Sequence, residues 1–148
     1  MDQLVFALHV FSTLAMAGLI WFVQVVHYPL FASVGTEEFT AYERAHQVRT
    51  TWVVAPLMIT EALTAFVLLW IRPEGIAVSF CVLGVALTLL LWASTFFWQV
   101  PAHERLQQSF DPATHAALVK SNWVRTVGWS ARGVLVCAMA YQAQNHAS

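Results

Sequence analysis

Apolar residues fall into four long blocks along this chain, each about as long as a bilayer core is thick. The blocks run from Leu4 to Val26, Thr51 to Ile71, Ile76 to Val100 and Trp123 to Tyr141. About 20 such residues in a helix span the hydrocarbon layer. Lipid offers open backbone groups no partner, so segments of this kind must be helical. Glu61 interrupts the second block and Arg132 the fourth. Arg72-Pro73-Glu74-Gly75 reads as a tight turn between blocks two and three. The other two connections are longer, and each predicts a short interfacial helix running into the next span. Thr36 stands as an N-cap before Glu37 and Glu38, with Phe39, Tyr42 and Ala45/His46 following at helical spacing. Asp111 likewise caps a helix with Pro112 at its first position.

The two halves also resemble each other. Shifted by 76 residues, the window 27–50 aligns with 103–126 without a gap. Identical pairs include His27/His103, Arg49/Arg125 and Thr50/Thr126, and His46 pairs with Asn122. Internal duplication of this kind points to a repeated structural unit. Here the unit is span, short helix, span, covering about 1–72 and 77–148 of a single transmembrane domain, 1–148. Spans one and three run in the same direction, which makes the repeat parallel. The expected fold is all-α: a polytopic four-transmembrane-helix bundle built from two parallel helical hairpins.

Composition strengthens the membrane assignment. Hydrophobic residues make up 59% and charged residues 10%, with a mean hydropathy of +0.63, whereas soluble domains carry about 25% charged residues. A net charge of −1 gives no reason to expect a nucleic-acid partner. Met1-Asp2-Gln3 lacks the basic start of a signal peptide. Cys81 and Cys137 lie inside apolar runs and read as small buried residues without a disulfide role. Arg44, Arg49, Arg105, Lys120 and Arg125 gather on the side of the long connections, against Arg72 on the other. The positive-inside rule then puts the long connections in the cytoplasm of a multi-pass protein, here of the bacterial inner membrane.

The candidate chemistry lies in the repeated segments. Span one ends in Gln24 and His27, span three in Gln99 and His103, and each approaches a proline, Pro29 or Pro101. Span two opens with His46 and Arg49, span four with Asn122 and Arg125; residues three apart share a helix face. All of these should converge at one end of the bundle. Imidazoles bind transition metals and haem iron, so His27 and His103 are the candidate metal or haem ligands, with Gln24 and Gln99 beside the cofactor. His46, Arg49, Asn122 and Arg125 are the candidate catalytic residues, the guanidiniums suiting an anionic group. Deeper in the spans, His9, Glu61 and Arg132 form either a proton path or a structural ion pair, since intramembrane charges need partners. Rise along each helix puts these three at successive depths below the histidine end.

A Pro-x-His-x-x-Leu segment (Pro101 to Leu106), Asn-Trp-x-Arg-Thr opening span four (Asn122 to Thr126) and a short connection near a proline after span one carry a likeness. In these, the chain resembles the anthrone-oxygenase-like family of small four-helix membrane proteins, over about a fifth of its length. The resemblance implies redox chemistry on an aromatic or lipid-soluble substrate. The function expected is therefore a membrane oxidoreductase or oxygenase acting at a His/Arg site on an apolar or anionic small molecule, with haem b or a transition metal ion as cofactor. The alternatives are an electron-transfer subunit binding haem or quinone, and a small-molecule or ion permease. The lipid bilayer is the expected partner, with a homo-oligomer or a larger membrane complex as further possibilities.

Overall fold

The computed structural model describes residues 1–147. It is all-helical, with four helical columns. The first column comprises α1 (Asp2–Phe22), a π-helical turn (Val23–His27), the short α2 (Tyr28–Leu30) and a 3-10 turn (Phe31–Ser33). The second is α3 (Thr36–Val67). The third comprises α4 (Val78–Ser94), a second π turn (Thr95–Gln99) and α5 (Val100–Leu106). The fourth is α6 (Pro112–Ala147).

Each expected interfacial helix is continuous with the span after it. α3 runs for 32 residues, about 48 Å at 1.5 Å per residue. It starts one residue away from the expected cap: Gly35 occupies the N-cap, no side chain closes it, and Thr36 is already helical. The cap at the other connection forms as expected. Asp111 accepts from the Thr114 backbone N–H (2.8 Å) and hydroxyl (2.5 Å), and these bonds hold its carboxyl below the ordinary carboxylate range.

The two prolines explain the two π turns. Proline crowds the carbonyl four residues earlier, which a regular helix cannot accommodate. For Pro29 that residue is Val25, and for Pro101 it is Phe97; both lie within a π turn. The wider turn makes room, as such bulges do near functional sites. His27 precedes its proline by two residues and His103 follows its own by two. The difference of four is about one helical turn, so both imidazoles stay on the inward face.

Residues 2–33, 36–67 and 78–106 are long and apolar enough to cross a membrane. α6 is as long but more polar, because Asn122, Arg125, Thr126 and Arg132 are among its buried residues. The exterior is rich in large apolar side chains, among them Phe11, Trp52, Leu63, Phe97, Val127 and Val134. Cys81 is buried, whereas Cys137 faces outward, since α6 turns its Arg132/Leu135/Val136 face to the bundle.

The interior holds two apolar cores separated by a polar layer. One core gathers Met16, Ile20, Met58, Leu91 and Trp129 with residues of the long connections. The other, near the termini, gathers Phe6, Leu68, Cys81, Leu135 and Met139. At the same end, Arg72 closes the 72–75 turn by donating to the carbonyls of Ile76 (3.0 Å) and Leu69 (3.3 Å). Gly75 has φ +86°, and a Cβ there would lie 2.6 Å from the His146 ring. Gly75→Ala is expected to cost about 1–2 kcal/mol from the left-handed backbone alone, visible as a lower Tm in detergent.

Candidate functional site

The sequence-predicted residues meet in two places. The first is the end of the bundle at the long connections, where His27, His46 and His103 come together. His27 Nε2 lies 2.8 Å from His46 Nδ1, which also has the Thr50 hydroxyl at 3.0 Å. The His46 and His103 rings are 5.4 Å apart. Phe31, fully buried, contacts all three imidazoles edge-on, at 5.0–6.4 Å between ring centroids. The imidazoles are therefore shielded by an apolar ring from the 3-10 turn that follows Pro29.

Two residues that sequence reasoning passed over complete this group. Glu43 is fully buried, and its Oε1 lies 2.6 Å from His103 Nδ1. His103 Nε2 lies 2.8 Å from the buried Tyr28 hydroxyl. A carboxylate accepts, so His103 donates from Nδ1, and its Nε2 then accepts the Tyr28 proton. The Arg125 guanidinium lies beside Tyr28 in the cavity lining and donates to Asn122 Oδ1 (3.2 Å). One chain, Glu43–His103–Tyr28, thus links α3, α5 and α2, and a second, Arg125–Asn122, lies beside it on α6. Asn122 in turn donates to Gln24 Oε1 (3.0 Å), and Gln24 donates to the Val119 carbonyl (3.2 Å). Gln24 therefore fastens the first π turn to α6. Gln99, in the second π turn, donates to Ser121 (3.1 Å).

Arg49 is the exception. It is exposed and lies outside this group. Three residues advance a helix by 300°, four by 400°; with His46 pointing inward, Thr50 follows it and Arg49 turns to the edge. α3 packs chiefly against α1 and α4, and at Arg49 its edge meets the outside. Arg125 occupies the matching position in the second half but sits on α6, which at this end also packs against α5 and both π turns, and is 6% exposed.

A cavity of about 400 Å³ opens beside the cluster, within the range of small-molecule sites. Its walls are apolar: Ile20 and Val23 on the first column, Val54 and Met58 on α3, Trp92 and Phe96 on the third. Tyr28, His46, Gln99, His103 and Arg125 supply its polar groups. The exposed lining residues Thr51, Ile59, Phe96 and Val100 put its mouth at the seam between α3 and the third column.

Several polar atoms here lack partners. Glu43 Oε2, Gln99 Oε1 and Arg125 Nε are buried and unbonded. One donor atom from each of Glu43, His46 and His103 lies within 4.8 Å of the other two, so these residues can hold a metal ion together. The pair expected from sequence, His27 with His103, is not this set: His27 is bonded to His46 instead. Glu43 stands three residues before His46, the Glu-x-x-His spacing of helix-borne metal sites. That spacing was the available signal. Glu43 was obscured by Glu37, Glu38 and Arg44, its exposed charged neighbours.

The second place is the polar layer between the two cores. Arg132 forms a buried ion pair with Glu61 and donates to His9 Nε2 (3.0 Å). His9 Nε2 accepts from arginine, so Nδ1 carries the proton of the neutral ring and donates to Thr64 (2.8 Å). Thr88 donates to Glu61 Oε1 (3.0 Å). One cluster therefore draws His9 from α1, Glu61 from α3, Thr88 from α4 and Arg132 from α6. The residues touch rather than descend in steps, because rise along each helix neglects the reach of an arginine side chain. Gly84 makes the space: a Cβ there would lie 2.6 Å from Arg132 Nη1. Gly84→Ala is expected to destabilise by about 1–3 kcal/mol through overpacking, measured by thermal unfolding.

No family model, curated protein or solved structure matches this chain. What the fold and sites define is an all-helical bundle with an apolar exterior, a buried carboxylate–imidazole cluster and an adjoining cavity.

Proposed function

We propose that the chain is a small integral membrane protein that oxidises an apolar, aromatic or lipid-soluble molecule taken up from the bilayer. The four columns form a transmembrane bundle of two parallel hairpins. Apolar side chains outside and polar networks inside suit a lipid solvent, in which buried charges find partners within the bundle. The exposed Arg44, Arg49, Arg105 and Lys120 at the cluster end support a cytoplasmic position for that end of an inner-membrane protein.

One observation carries the functional reading: a largely apolar cavity whose polar lining includes Tyr28, His46, Gln99, His103 and Arg125. Such a site accepts a hydrophobic body and an acidic head. Arg125 binds the head as an anion. His103, held by Glu43, takes its proton through Tyr28. A phenolic or enolic ring so deprotonated is electron-rich, and dioxygen then accepts its electrons.

The test is mass spectrometry of small molecules that copurify in mild detergent. The native protein should carry an apolar, ring-bearing or long-chain acidic compound, and Val54→Trp, which fills the cavity, should lose it at unchanged helix content. If both proteins carry the same compounds, the cavity is not the site.

A further inference from the structure

We propose that Glu43, His46 and His103 bind one divalent first-row transition-metal ion, with His27 and Tyr28 orienting the two imidazoles from behind. The inference deepens the reading above by naming the cofactor of the same site, and rests on it only for what fills the remaining coordination positions. Two imidazoles and one carboxylate suit iron(II), zinc, manganese and cobalt, and leave positions open.

Four observations support it independently of the cavity. The three donor atoms already lie within 4.8 Å of one another. Glu43 Oε2 is buried, unpartnered and belongs to this cluster; a cation would satisfy it. The hydrogen bonds sort the ring nitrogens as metal sites require. His46 Nδ1 faces His27 and Thr50, leaving Nε2 as its ligand atom. His103 Nε2 faces Tyr28, leaving Nδ1, the atom now directed at Glu43. Outer partners of this kind fix ring orientation and tautomer in metal centres. Lastly, Glu43 and His46 share one face of α3, a rigid element that presents both ligands together. On loading, the ion takes the place of the proton between His103 Nδ1 and Glu43 Oε1; His103 then carries its proton on Nε2 and donates it to the Tyr28 oxygen, so it orients Tyr28 rather than taking its proton.

The test uses the untagged full chain, stripped with a chelator in detergent and titrated with cobalt(II) alone. The expected result is one equivalent bound, with a visible d–d absorption band. Glu43→Gln keeps the volume and the hydrogen bond to His103 but loses the charge, and should abolish the band. His46→Ala should do the same. His27→Ala should weaken binding by about 10–100-fold, whereas Arg49→Ala, on the exposed edge of α3, should change nothing. Circular dichroism and gel filtration identify any variant that has lost its fold, so that the isosteric Glu43→Gln decides the matter. Absence of a cobalt band in the folded native protein, or a full equivalent retained by folded Glu43→Gln, overturns the proposal. Cobalt binding without a copurified organic molecule would leave the metal site standing and count only against the oxidation of an apolar substrate.

Discussion

Glu61→Ala should lower the stability of this protein by about 3–5 kcal/mol, the usual cost of removing one partner from a buried ion pair. For a chain of this size the fall in Tm is roughly 10 °C. The substitution strips Arg132, 1% exposed, of its counter-charge. His9 cannot replace Glu61, because its Nε2 offers one neutral lone pair. Thr88 loses one of its two acceptors and keeps the Gly84 carbonyl. The informative comparison is the double variant Glu61→Leu/Arg132→Met. Removing both charges at similar volume is often neutral or stabilising, so the double variant should unfold well above Glu61→Ala. Thermal unfolding in detergent, followed by the fluorescence of the nearby tryptophans, measures all three. A Glu61→Ala protein within 1 kcal/mol of the native one would show that Arg132 finds compensation elsewhere.

Arg125→Gln should weaken the binding of a lipid-soluble phenol or carboxylic acid by about 10–100-fold, since hydrogen bonds to charged groups contribute about 1.5–3 kcal/mol. The guanidinium lines the cavity, is almost fully buried, and has a spare donor in Nε. Glutamine retains a polar contact to Tyr28 or Asn122 but no charge. A neutral analogue of the same shape should bind both proteins alike, because the apolar walls are unchanged. Trp92 stands in the wall, so quenching of its emission reports binding directly. Equal losses for the acid and the neutral analogue would mean that Arg125 shapes the cavity without reading charge.

Much of this was legible in the sequence, and the reasons differ by element. The four columns follow from block length, the Asp111 cap and the 72–75 turn from local chemistry that tertiary packing does not override. The meeting of His27, His46, His103 and Arg125 follows from helix periodicity plus the repeated order of polar residues. What remained hidden depends on which face of a helix meets a neighbour. Glu43 sits in a charged connection and looks solvated; only the packing of α3 beside α5 buries it. Arg49 and Arg125 match in sequence and part in space, because both π turns pack against α6 at this end and leave the Arg49 edge of α3 open. Tyr28 carries no sequence signal of its own beside Pro29, yet it is buried and its phenol reaches His103. Sequence placed His9, Glu61 and Arg132 at three depths, whereas long side chains bring them into contact.

The polar layer between the two apolar cores also constrains biogenesis. Within a bilayer, Arg132 on a lone α6 would oppose insertion by about 2.5–3.5 kcal/mol. Its neutralising carboxylate is on α3 and its imidazole neighbour on α1, both synthesised earlier. On the membrane reading proposed above, α6 would therefore settle only when a prepared receptor is waiting, and neither proposed hairpin expressed by itself should persist.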